Sequence, residues 1–140
     1  MNTTQVYEKL RETSSFSDFG SRCLILTQEW SRAPDALDAV DPILRFMEAN
    51  PSLDFGLPGP LVHFVEQYYG AGYEGKLVAS VDRNPTLHTV WMLNRVINGT
   101  ADPEQRRLLI ETLARATSNP SADSTTRQQA SRLLARLSVK

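Results

Sequence analysis

His63 and Glu66 stand three positions apart, and His88 is the only other histidine in the chain. On a helix that spacing puts an imidazole and a carboxylate on one face, the beginning of a hydrolytic metal site. Completing it takes another histidine or carboxylate on the same face and a third ligand nearby, and nothing in the sequence is spaced to supply them. His63 therefore reads as a hydrogen-bonding or partner-contacting residue. Gly70-Ala71-Gly72-Tyr73-Glu74-Gly75 matches the dinucleotide fingerprint letter for letter. That chemistry requires a strand before it, a helix after it, and an acid roughly 20 residues on to hold a ribose. The preceding segment has helical spacing and Arg95 occupies the place of the acid, so a turn between helices is expected. Asp54-Phe55-Gly56 spells a kinase metal-binding triplet, without the phosphate loop or catalytic loop that give it meaning. Many serines and threonines are present, but no nucleophile elbow selects one. Cys23, alone and inside the run Cys23-Leu24-Ile25-Leu26, reads as a buried thiol. No catalytic residue, metal, cofactor or small-molecule substrate is expected. An enzyme assembled from residues distant in sequence is the alternative, and it predicts a cleft with converging polar groups.

The elements that must position these side chains follow from the apolar spacing. At 140 residues, 41% hydrophobic and 22% charged, the chain suits one domain, 1–140, with a core that needs no disulfide or metal. Apolar residues recur at steps of three and four nearly throughout, and no stretch alternates with period two. Helices are predicted over about 3–13, 18–31, 35–48, 60–69, 74–82, 85–98, from 102 through at least 114, and 124–138. In the second, Phe19, Leu24, Leu26 and Trp30 are the candidates for burial. Leu37, Val40, Leu44 and Met47 mark the inner face of the third, with a break near Asp41 because Pro42 falls inside the pattern. Three prolines and two glycines deny residues 50–60 regular structure. Asn84 and Pro85 are read as the cap and first turn of the next long helix, with Gly99 ending it in the left-handed conformation. Asp102 and Pro103 open another. The fold class is all-α: seven or eight short antiparallel helices. A HEAT-like right-handed superhelical array and an irregular bundle are the competing architectures.

Charge is informative once divided. The chain carries −1 overall; residues 1–74 hold 11 acids and 5 bases, and residues 75–140 hold 5 acids and 10 bases. The arginines of the second half are too sparse, and too balanced by helix termini, for a groove-binding stripe, so direct nucleic-acid binding is not expected. The first half could steer a basic partner. The N-terminal residues lack the basic and apolar regions of a signal peptide, and no run approaches the ~18 apolar residues of a membrane span. A cytoplasmic address is the natural expectation.

A candidate partner surface lies within the aromatic and polar cluster of 54–98, where Phe55, Tyr68, Tyr69 and Tyr73 interleave with acidic side chains. Its residues are Asp54, Phe55, His63, Glu66, Tyr69, Tyr73 and Glu74. Tyr73, between glycines, is expected to be exposed, while Phe55 and Leu53 either fold back onto the core or wait for a partner. The pattern Asp54-Phe55-Gly56-x-Pro58-Gly59-Pro60-Leu61-Val62-His63, with Tyr69, Ser80, Pro85-Thr86, Thr89-x-Trp91-Met92-Leu93-Asn94-Arg95 and Asn98, resembles the immunity proteins of bacterial polymorphic toxin and contact-dependent growth inhibition systems. The resemblance spans roughly residues 50–100. It implies a cytosolic protein that binds a cognate toxin domain and neutralises it, often by covering its active site. Many such toxins are nucleases with basic clefts, and an acidic surface mimics the phosphate backbone they grip. On that reading Asp54, Glu66, Glu74 and acids of the 35–48 helix meet the toxin, with Phe55 and Tyr73 as anchors. The alternative is a helical adaptor or scaffold for a non-toxin protein.

Overall fold

The computed structural model describes residues 1–138. Among them are eight α-helices and one 3-10 turn, with no strand: α1 Thr3–Thr13, α2 Phe19–Ser31, the turn Ala36–Ala39, α3 Val40–Ala49, α4 Gly59–Glu66, α5 Tyr73–Arg83, α6 Leu87–Gly99, α7 Pro103–Ala116 and α8 Ser124–Ser138. The all-α class predicted from apolar spacing is thus the observed one. The expected single domain packs as two compact units, Met1–Lys76 and Leu77–Lys140, with the boundary inside α5.

In the first unit α1 packs chiefly on α3, and α2 chiefly on α4. Partners in this unit are therefore chiefly next-but-one in sequence. The centre is α3, whose Val40, Ile43, Leu44, Phe46 and Met47 are all fully buried. Burial of each such side chain contributes roughly 1.5–3 kcal/mol. Phe46 is the hub of an aromatic cluster, with the rings of Tyr7, Phe19 and Phe55 at 5.8, 6.3 and 6.1 Å. The break expected near Asp41 is present, with Ala39 instead of Asp41 as the N-cap of α3, two residues earlier. Pro42 lies in the first turn of α3, where a missing N–H costs little.

In the second unit α6, α7 and α8 pack against one another, with Val90, Leu93, Leu113 and Ala130 fully buried. The start of α6 differs from expectation. Thr86, not Asn84, is its cap: the Thr86 hydroxyl accepts the Thr89 N–H at 3.1 Å, and Thr89 Oγ1 accepts the Thr86 N–H at 3.1 Å. Pro85 precedes the cap and is buried. Gly99 is still helical, Thr100 is the C-cap, and Gly99 is not among the glycines with positive φ. The predicted start of α7 holds, with Asp102 Oδ2 accepting the Gln105 N–H at 2.9 Å and Pro103 in the first turn.

Candidate partner-binding surface

The surface begins with a surplus of apolar residues in α2. One stripe, Phe19, Cys23, Thr27 and Trp30, faces the core. Successive residues turn by about 100° in an α-helix, so the continuous run Cys23-Leu24-Ile25-Leu26 is wider than that stripe. Leu24, expected inside, is 49% exposed, and Ile25 is 63% exposed. Cys23 is buried, as expected, and burial pushes its thiol up to about 12.

Leu24 forms one lip of an open groove of about 300 Å³ between α2 and α4. Gln28 lies on the same wall, and Pro60, His63, Phe64 and Gln67 line the other. His63 is exposed there, one turn from the half-buried Glu66. Phe64 closes the floor, its ring 6.2 Å from that of Trp30. A second depression, about 370 Å³, has Asp54, Phe55 and Leu53 on one side and Phe16 and Phe19 on the other.

The 50–58 loop holds its shape from within. Asp54 Oδ1 accepts the Gly56 N–H at 2.9 Å. Gly56 has φ +90°, and a Cβ there would lie 2.6 Å from the Gly59 Cα. Phe55 is only 4% exposed, its ring 6.2 Å from that of Phe19. Of the two fates open to it, folding back is the one adopted, so it cannot serve as a partner anchor. Leu57 instead projects from the loop, 82% exposed.

Tyr73 is fully buried, against expectation, because α5 begins there and turns its first side chain inward. The glycines on either side gave no warning of that. Tyr69 meets it edge-on, ring centres 5.8 Å apart, and stays 40% exposed. Gly70 and Gly72 have φ of +74° and +118°, and the Glu74 carboxylate accepts the Gly70 N–H at 2.8 Å. The apparent dinucleotide fingerprint is therefore the turn joining α4 to α5, and Glu74 braces it.

The seven predicted residues thus divide. Asp54 and His63 are exposed on groove walls beside α2, and Tyr69 is exposed in the α4–α5 turn. Glu66 and Glu74 are half-buried, and Phe55 and Tyr73 belong to the core. Sequence reasoning missed Leu24, Ile25, Leu57 and Phe16, the last 48% exposed. The signal for the α2 pair was the apolar run itself, too wide for one face.

Charge follows the division into units. Met1–Lys76 holds 11 acids and 6 bases, net −5, and the remainder holds 5 acids and 9 bases, net +4. Several acids of the first unit are paired: Glu8 with Arg11, Asp18 with Arg22, and Asp41 with Arg45. Hydrogen bonds from Arg11 and Arg22 hold Glu8 and Asp18 below the usual carboxylate range. Among the described residues Glu12, Glu29 and Asp38 are exposed and make no ion pair, leaving their charge available to a partner. Among the same residues, no group of three His, Cys, Asp or Glu side chains is placed to hold a metal ion, and no helix is long and apolar enough to cross a membrane. Comparison of the chain with protein-family models, with curated proteins and with solved structures gave no significant match.

Proposed function

We propose that this chain is a protein-binding helical module, and that its partner is a bacterial toxin domain which it neutralises as an immunity protein in the cytosol. The observation that carries the binding role is the groove between α2 and α4. Exposed Leu24 and groove-lining His63 stand on its walls, in a unit of net charge −5. Apolar side chains at an open groove offer area that gains stability when a partner removes it from water. The surrounding negative charge selects a basic partner and speeds encounter with it. The toxin identity rests on the resemblance carried by residues 54–98 and on the fit of an acidic surface to a nuclease cleft.

The anchors differ from those the sequence suggested. Leu24 and Leu57 take the places assigned to Tyr73 and Phe55, while Asp54 and His63 keep theirs. The test is to co-express the chain with the toxin domain encoded beside it and to purify the pair. A one-to-one complex is expected, with affinity falling as salt rises. Replacing Leu24→Lys and Leu57→Lys together should weaken it by at least about tenfold, since both side chains would set a positive charge against a basic partner. Melting should stay within about 0.5 kcal/mol of the parent, because both positions are exposed. Absence of a complex, with the chain instead retaining a partner that has no toxin activity, would replace this reading with the adaptor.

A further inference from the structure

The outer face of α2 carries a charge pattern that complements its own reverse. Asp18, Arg22, Ile25, Glu29 and Arg32 follow one another at steps of four, three, four and three, which places them in one stripe along the helix. All five are exposed, and Asp18 and Arg32 are the two caps of α2, so the stripe runs its full length. Read forward the stripe is negative, positive, apolar, negative, positive; read backward every sign is exchanged about Ile25. Two copies laid antiparallel with Ile25 at the centre set Asp18 against Arg32 and Arg22 against Glu29, twice each. Laid parallel, the same stripes oppose like charges.

We infer that this face of α2 pairs with its counterpart in a second copy of the chain, forming a two-fold dimer through antiparallel α2 helices. A two-fold interface requires a patch that complements itself under reversal, and this stripe meets the requirement in both charge and apolar position. Ile25, 63% exposed, is the apolar contact on the axis, and Leu24 and Phe16 flank it. The Arg22 guanidinium lies 3.9 Å from the centre of the Phe16 ring and 2.6 Å from Asp18, so its charge is already held on this face. Glu29 makes no ion pair among the described residues. The dimer is weak, because exposed ion pairs contribute little each and the apolar area is small. This inference does not depend on the toxin reading.

Sedimentation velocity on the isolated full chain, from roughly 10 µM to roughly 1 mM, tests it. A reversible monomer–dimer equilibrium is expected. Arg22→Glu alone and Glu29→Arg alone should each weaken it by about tenfold, since each converts two attractions into two repulsions. The double exchange Arg22→Glu with Glu29→Arg should restore it, whereas charges serving only the helix dipole would alter melting and leave association unchanged. As a second readout, Ile25→Cys should form a disulfide-linked dimer on mild oxidation, faster than Leu108→Cys, an exposed position on α7. Cys23 is buried and stays silent in that experiment. A folded chain that stays monomeric throughout, a double exchange that fails to restore association, or equal cross-linking at both positions would overturn the inference.

Discussion

Cys23 illustrates how far a single residue can be read from its neighbours. An isolated cysteine within an apolar run is normally packed as a small hydrophobe, and here it is 1% exposed. Its thiol is pushed up to about 12 by burial alone, so the reactive thiolate is scarce at neutral pH. A thiol reagent at about pH 8 should leave the folded chain unmodified and label it fully in denaturant. Rapid labelling of the native protein, followed by absorbance, would show the site to be open. Tyr73 and Leu24 mark the opposite limit. Glycines beside Tyr73 suggested exposure, yet those glycines make a turn that delivers the ring to the interior. Leu24 is as apolar as its neighbours, and only the rotation of α2 against α4 decides that it faces outward. Residue type sets what a side chain prefers; the packing of its element decides whether the preference is met.

At the scale of elements, eight helices were legible because each announces itself twice, by apolar spacing and by its ends. The boundaries were less legible where two residues competed for one capping role. Asn84 and Thr86 both suit a cap, and the reciprocal bond from Thr89 selects Thr86. Both threonines are buried. Thr86→Val should therefore lower stability by about 1–2 kcal/mol, measured by urea denaturation, because the cap is lost and a buried N–H loses its partner. An unchanged midpoint would argue that Asn84 can take over. The pairing of α1 with α3 and α2 with α4 was not legible, since spacing reports which face is apolar and not what covers it. For α8, Asp123 Oδ1 accepts the Thr126 N–H at 2.7 Å, and hydrogen bonds from Thr126 hold the Asp123 carboxyl below its ordinary value. A lowered folded pKa stabilises above the unfolded value, near about 3.9, and that contribution disappears as pH falls through the folded value. Asp123→Asn can still accept the bond but cannot titrate. Its urea midpoint should fall less than the parent's between about pH 5 and pH 2; identical acid limbs would remove the cap from the account.

For the molecule as a whole, the division of charge was visible in the sequence and coincides closely with the division into two packed units. What the sequence could not supply was the groove, because Leu24 and His63 become neighbours only when α2 packs on α4. Folding of the 50–58 loop onto Phe19 and Phe46, and the inward turn at the start of α5, took Phe55 and Tyr73 from the surface and left Leu57 exposed. The binding reading therefore rests on an apolar lip within an acidic unit, which predicts capture of a basic protein and sensitivity to salt. The immunity proposal requires a toxin domain encoded beside this chain, and growth of bacteria producing that domain is its most direct measurement. The parent chain should restore growth, and the variant carrying Leu24→Lys and Leu57→Lys should fail to do so while melting as the parent does. Continued growth arrest with the parent, or equal protection by the variant, would contradict the account.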